Sequence, residues 1–125
     1  MTLPRGTLVL VDLEPTLGDE QRGTRPCIIV SDPAVNASQR FQLIALVPIT
    51  STKAPGALFP PLAPGSSGLK KQSYALVDQL RSIDKQRIRR RYGQLTDNEL
   101  GAIDARLRLY LGLEPNLPGS QQELN

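Results

Sequence analysis

The chain has 125 residues, of which 39% are hydrophobic and 22% charged, with a formal net charge of +3, no histidine, no tryptophan and one cysteine. That length supports one real core but not two, and the composition is ordinary for a soluble globular protein. Without histidine, His-based acid–base pairs, a Ser–His–Asp triad and most zinc sites are excluded, and the lone Cys27 excludes an intrachain disulfide.

The first predicted element is the run Thr7-Leu-Val-Leu-Val-Asp-Leu13, a strand closed by Glu14-Pro15. A charged, glycine-punctuated loop follows, Gly18-Asp19-Glu20-Gln21-Arg22-Gly23-Thr24-Arg25-Pro26. Loops that only turn soften to Ser, Asn and Gly. This one packs carboxylates, an amide and guanidinium groups between glycines, a way to present polar groups to a ligand from a fixed scaffold. Arg25 is expected at the end of that loop, just before the short buried strand Cys27–Ser31, which Asp32-Pro33 terminates.

Phe41–Val47 reads as a third strand, with Pro48 near its end marking an edge or a bulge. Residues 53–68 carry Pro55, Pro60, Pro61 and Pro64 and read as an exposed loop with a ragged edge strand. Ser73–Leu80 is expected to be another strand, and Ser82-Ile83-Asp84 a turn into a short strand around Ile88. Thr96-Asp-Asn-Glu99 is a capping box, and Leu100, Ile103, Leu107 and Leu111 recur at helical spacing up to Gly112. The helix Asp97–Leu111 should lay one face on a sheet, and residues 114–125 form a polar tail. Taken together the elements predict one mainly β (α+β) domain over residues 1–113, a small curled antiparallel sheet or partial barrel closed by helix.

No apolar run approaches the roughly 20 residues needed to cross a bilayer, and the N-terminus lacks a signal-peptide pattern. A reducing cytoplasm is the expected setting, with no membrane attachment. Cys27, in an apolar run and with no His to activate it, reads as a small core hydrophobe.

Charge is unevenly spread. Residues 1–69 are neutral, residues 70–95 hold eight basic against two acidic side chains, and residues 96–125 hold two basic against five acidic. The basic block is either the footprint of a polyanion binder or a solvated face. There is no P-loop, and the scattered carboxylates mark no metal site. What remains is guanidinium, hydroxyl and amide chemistry, which suits phosphodiesters because Arg forms bidentate, charge-assisted bonds to phosphate oxygens. Arg25 and Thr50-Ser51-Thr52 fall at strand ends, so a common rim is geometrically open to them. The plainer alternatives are a turn in which Thr50 bonds its own backbone and a surface salt bridge from Arg25 to Asp19 or Glu20.

Several segments together resemble the MazF/PemK toxin family. They are Arg5-Gly6 before a strand, Asp12-Leu13-Glu14-Pro15-Thr16, Gly18–Gln21, Gly23-Thr24-Arg25-Pro26, Val47-Pro48-Ile49-Thr50-Ser51 and Asp78–Arg87, followed by a terminal helix. The likeness runs in order over nearly all of residues 5–113 and is weakest in the Pro-rich 53–68. It implies an SH3-like small barrel with a C-terminal helix, as in the CcdB/PemK proteins. It also implies a sequence-specific, metal-independent endoribonuclease acting on single-stranded RNA, without a cofactor. Carried over residue by residue, Arg25 and Thr50 are the catalytic pair and Glu20 lies in the RNA site; from its chemistry Glu20 is further read as a candidate catalytic base, with water as the alternative. Gln21, Gly23, Ser51, Gln79, Arg81, Ser82 and Lys85 line the RNA site. A homodimer and a cognate acidic antitoxin are the implied partners. Two other readings are a CcdB-like gyrase inhibitor, which would need an aromatic C-terminal end that this chain lacks, and a non-catalytic RNA-binding barrel.

Overall fold

The computed structural model describes residues 3–14, 18, 23–65 and 67–113. Among the described residues seven strands and two α-helices follow one another: β1 (Thr7–Asp12), β2 (Thr24–Ile29), α1 (Pro33–Ala37), β3 (Leu43–Thr50), β4 (Pro61–Leu62), β5 (Ser73–Ala75), β6 (Arg81–Asp84), β7 (Ile88–Gln94) and α2 (Asp97–Leu111). Every strand pairing is antiparallel, in the order β4-β5-β3-β2-β1-β7, with β6 also on β3. The result is a mostly β, curled half-barrel with a C-terminal helix, the architecture the sequence leads one to expect.

Strands that read as unbroken apolar runs do so because both of their faces are covered. Successive residues point to opposite sides of the sheet, so Leu8 and Val9 of β1 enter different clusters. Leu8, Ile28, Val47 and Ile49 pack with Ile103 and Leu107 of α2 on one face. Val9, Val11, Cys27, Ile29 and Leu46 pack with Ile44 and Ile83 on the other. Wholly burying each such side chain contributes about 1.5–3 kcal/mol, so these two clusters dominate the stability.

β3 corrects one expectation. Pro48 does not mark an edge, because β3 lies between β2 on one side and β5 and β6 on the other. β6 pairs with Leu43–Leu46 and β5 with Ile49–Thr50, which leaves Pro48 at the handover between them. The Pro48 carbonyl accepts from Leu76 N–H at 2.8 Å on that same side. A residue in a strand directs its N and its carbonyl to one side, so the missing Pro48 donor falls where no ladder partner needs it. The strand therefore runs on to Thr50, three residues beyond the predicted end.

β2 also differs, beginning at Thr24 and ending at Ile29. Arg25 and Pro26 therefore lie inside the strand, opposite Val11 and Leu10 of β1, and not at the end of a loop. The predicted strand Ser73–Leu80 is cut to Ser73–Ala75, after which the chain tightens into a 3-10 turn at Val77–Gln79. β6 is a strand where a turn was expected, and β7 extends for seven residues. Helix α1 was not anticipated. Asp32 caps it by accepting from Ala34 N–H, and Pro33 fills its first turn, where no donor is missed.

Helix α2 matches its predicted bounds, with the Thr96–Glu99 capping box formed and Gly112 in the left-handed region at its end. Leu111, expected on the packing face, is instead 51% exposed. A forked ion pair from Arg5 to Asp104 ties the N-terminal segment to the helix, and Arg5 Nε donates to the Val30 carbonyl. The Asp104 hydrogen bond raises the Arg5 pKa. Glu99 reaches across to accept from Ala63 N–H at 2.8 Å, holding the residue after β4.

Candidate phosphodiester site

The ends of β2 and β3 meet at one cavity of about 320 Å³. The β2–β3 register pairs Cys27 with Pro48 and Ile29 with Leu46. Arg25 and Thr50 each lie two residues beyond the Cys27–Pro48 pair, on neighbouring strands. Both residues line the cavity, together with Ser51, Thr52, Lys70 and Lys71. Pro26, Ile49, Leu69 and Ser73 complete the wall. Arg25 and the two lysines are exposed.

Thr50 reconciles its two sequence readings. Its Oγ1 accepts from Thr52 N–H at 3.1 Å, the local turn that spacing suggested. A hydroxyl has one donor proton besides its lone pairs, and this bond uses only a lone pair. The Thr50 proton therefore remains to be given to an anionic oxygen, from a hydroxyl that the turn has already fixed.

The cavity brings together Arg25, Thr50 and Ser51 among the site residues predicted from sequence; Gly23, Gln79, Arg81, Ser82 and Lys85 do not line it. Gly23 closes the β1–β2 loop at φ +76°, donating to Glu14 Oε1 while its carbonyl accepts from Leu13 N–H. Gln79 ends the 3-10 turn, its N–H donating to the Leu76 carbonyl. Arg81 lies opposite Leu46 and donates to the Leu13 carbonyl at 3.2 Å. Ser82 lies opposite Ala45 and is exposed.

Lys85 lies toward the other end of β3, where its ammonium donates to the carbonyls of Ser38 (2.8 Å) and Val35 (3.4 Å) at the end of α1. Glu20 and Gln21 lie outside the described residues, as does Asp19, so the predicted Arg25 salt bridge does too.

Sequence reasoning missed Lys70, Lys71, Leu69 and Ser73. The basic block beginning at Lys70 was the available signal, but nothing in the irregular segment before it says which strand it will meet. β5 supplies the answer by pairing Tyr74 with Thr50.

Cys27, on the buried face of β2, makes a weak bond from Sγ to the Arg25 carbonyl at 3.6 Å. Burial pushes its thiol up to about 12, with the Arg81 charge opposing, so at neutral pH it is a protonated core residue.

Comparison with known proteins agrees with the residue-level likeness. Residues 4–111 match the family described as the PemK-like, MazF-like toxin of type II toxin–antitoxin systems. Endoribonuclease EndoA of Bacillus subtilis (strain 168) is 28% identical over 113 residues, covering 90% of this chain and 97% of that one. The crystal structure of MazF from Deinococcus radiodurans superposes with a TM-score of 0.76 at 26% identity, over 90% of this chain and 98% of that one. A mycobacterial endoribonuclease solved with its cognate antitoxin shares the fold, with a TM-score of 0.74 at 22% identity over 91% and 99% of the two chains. Among the described residues, no helix is long and apolar enough to cross a membrane. With its strand order, its β2–β3 cavity and a match over residues 4–111, the chain belongs to the PemK-like, MazF-like family of type II toxin–antitoxin toxins.

Proposed function

We propose that the protein is a cytoplasmic, sequence-specific, metal-independent endoribonuclease that cuts single-stranded RNA. The observation that carries this reading is a cavity lined by both Arg25 and Thr50. In the reaction proposed, the ribose 2′-oxygen attacks the adjacent phosphorus and the bond to the 5′-oxygen breaks. The products are a 2′,3′-cyclic phosphate and a 5′-hydroxyl.

Arg25 and the Thr50 hydroxyl each donate to a non-bridging oxygen as negative charge builds on the phosphorane-like transition state. Losing one such fixed donor costs roughly 3–4 kcal/mol, a factor of about 10²–10³ in rate. Arg25 does not serve as the base, because deprotonating a group of pKa about 12.5 at pH 7 costs on the order of 7 kcal/mol. It gives a proton to the leaving 5′-alkoxide, which is more basic than Arg itself. The 2′-hydroxyl proton goes to Glu20 or to water. The pH–rate profile of Glu20→Gln separates these: loss of the acidic limb assigns the base to Glu20, and an unchanged limb assigns it to water.

Ser51 shares the cavity. Gln21, Gly23, Gln79, Arg81 and Ser82 contact the RNA farther along its path, which in this proposal runs in a groove between two protomers of a homodimer; Lys85, with its ammonium held by the Val35 and Ser38 carbonyls, serves the fold instead. An acidic antitoxin segment fits the same basic surface, drawn by residues 70–95.

Incubating the purified protein with a long RNA in EDTA and mapping the ends tests the proposal. Defined internal cuts with 5′-hydroxyl and 2′,3′-cyclic phosphate ends are expected. Intact RNA, or cuts that need an added metal, would contradict it.

A further inference from the structure

A second cavity, of about 490 Å³, adjoins the first and shares Pro26, Leu69 and Lys70 with it. Its character is different. Leu8 and Leu10 of β1 join Pro26 and Leu69 in an apolar lining, and Arg90 and Tyr92 of β7 add a guanidinium and a ring. The strand register explains why they meet. Leu10 pairs with Pro26 on one side and with Arg90 on the other, so the three form a row across β2, β1 and β7. Tyr92 lies two residues beyond Arg90 on the same strand, and the Arg90 guanidinium sits over its ring, 5.4 Å from the centroid.

The loop that completes this cavity is held in place. Ser67 accepts from Gly93 N–H at 2.9 Å, which pins the segment to β7. Gly68 then packs on Tyr92 so closely that a Cβ would stand 3.2 Å from the tyrosine Cβ, at a φ of +102° that disfavours any other residue. The wall carrying Leu69 and Lys70 is therefore fixed against β7.

We infer that this second cavity holds the nucleobase next to the scissile phosphate and sets the sequence preference of the cut. The inference rests on the endoribonuclease reading and deepens it. An unstacked base has two flat apolar faces and a polar edge, which match an apolar floor beside a stacked Arg–Tyr pair. Lys70, common to both cavities, neutralises the backbone between the base and the phosphate held at Arg25 and Thr50. Every base has a stacking face, so Tyr92 supplies affinity. The Arg90 donors on its rim supply the choice among bases.

The test is to sequence the cut sites made in one long RNA by the wild type, Tyr92→Ala, Tyr92→Phe and Arg90→Gln. Tyr92→Ala should slow cutting at preferred sites by about ten- to a hundredfold, the scale of one lost base–aromatic stack, and flatten the preference at one flanking position. Tyr92→Phe should restore both, and Arg90→Gln should change the base preferred there. Unchanged relative site preference in Tyr92→Ala and Arg90→Gln overturns the inference, even if all sites slow together. So does an effect confined to binding of an acidic peptide, or one that tracks a change in oligomeric mass. A wild type that does not cut RNA at all defeats the nuclease reading itself, which is a separate result.

Discussion

The two ends of β3 carry cavities with a similar mixture of polar and basic residues, and they use their cations in opposite ways. At the Leu43 end, Lys85 spends its ammonium on the carbonyls of Val35 and Ser38, so its charge ties the end of β6 to α1. At the Thr50 end, Lys70 and Lys71 line the cavity and pair with no carboxylate among the described residues. A cation satisfied by the fold works as a fastener, whereas an exposed one beside a fixed hydroxyl is ready for an anion. Residue type alone does not separate the two. The partners do.

Substitutions along β3 and its neighbours can break or sharpen this contrast. The largest effect is expected at Arg25: Arg25→Ala should lower single-turnover RNA cleavage by a factor of at least about 10²–10³ while binding, read by filter retention, weakens only modestly. Thr50→Ala should follow at the lower end of that range, and Thr50→Ser should recover most of the rate. The serine keeps the donor and the turn to Thr52 N–H.

Removing Lys70 and Lys71 together should act on binding more than on chemistry. Titrations at several salt concentrations should show the slope of log K against log salt falling by about 1.4, at about 0.7 per phosphate contact on a single strand. Lys85→Ala should act on neither, leaving binding and the intrinsic rate unchanged and costing about 1 kcal/mol in a urea melt. If it abolished cleavage while the melt stayed put, the contrast between the two ends would be wrong.

The smallest effect on cleavage comes from Cys27, which acts on stability alone. Its thiol is held protonated up to about 12 in the fold, above the unfolded value of 9.0, so the folded state binds the extra proton between those values. Stability contributed by the buried thiol is complete below pH 9 and declines as pH rises toward 12. Melts of wild type and Cys27→Ala should therefore converge above pH 9, and a constant difference would contradict the assignment.

Much of the fold is legible in the amino-acid sequence. The capping box at Thr96 and the spacing of Ile103 and Leu107 define α2, because a helix end and a helix face are both local signals. β1 was equally plain. What misled was proline. Pro26 and Pro48 both sit within paired strands, and a missing donor is harmless only when the neighbouring strands leave a gap, which no local pattern records. Asp32-Pro33 stops a strand and is also the cap and first turn of α1, a second role that the dipeptide alone does not reveal.

In the site, Arg25 and Thr50 were singled out by family likeness and by their positions at strand ends, and the fold gives them a common cavity. Lys70, Leu69 and Tyr92 were not found. They reach the groove through the pairing of β5 with β3 and the packing of Gly68 on β7, contacts between segments far apart in sequence.

The sharpest measurement is a double-mutant cycle on single-turnover RNA cleavage by wild type, Arg25→Ala, Thr50→Ala and the double variant, each confirmed as folded. Two groups gripping one phosphate act as a unit, so the double loss should fall well short of the product of the single losses. Losses that simply multiply would mean that Arg25 and Thr50 act independently.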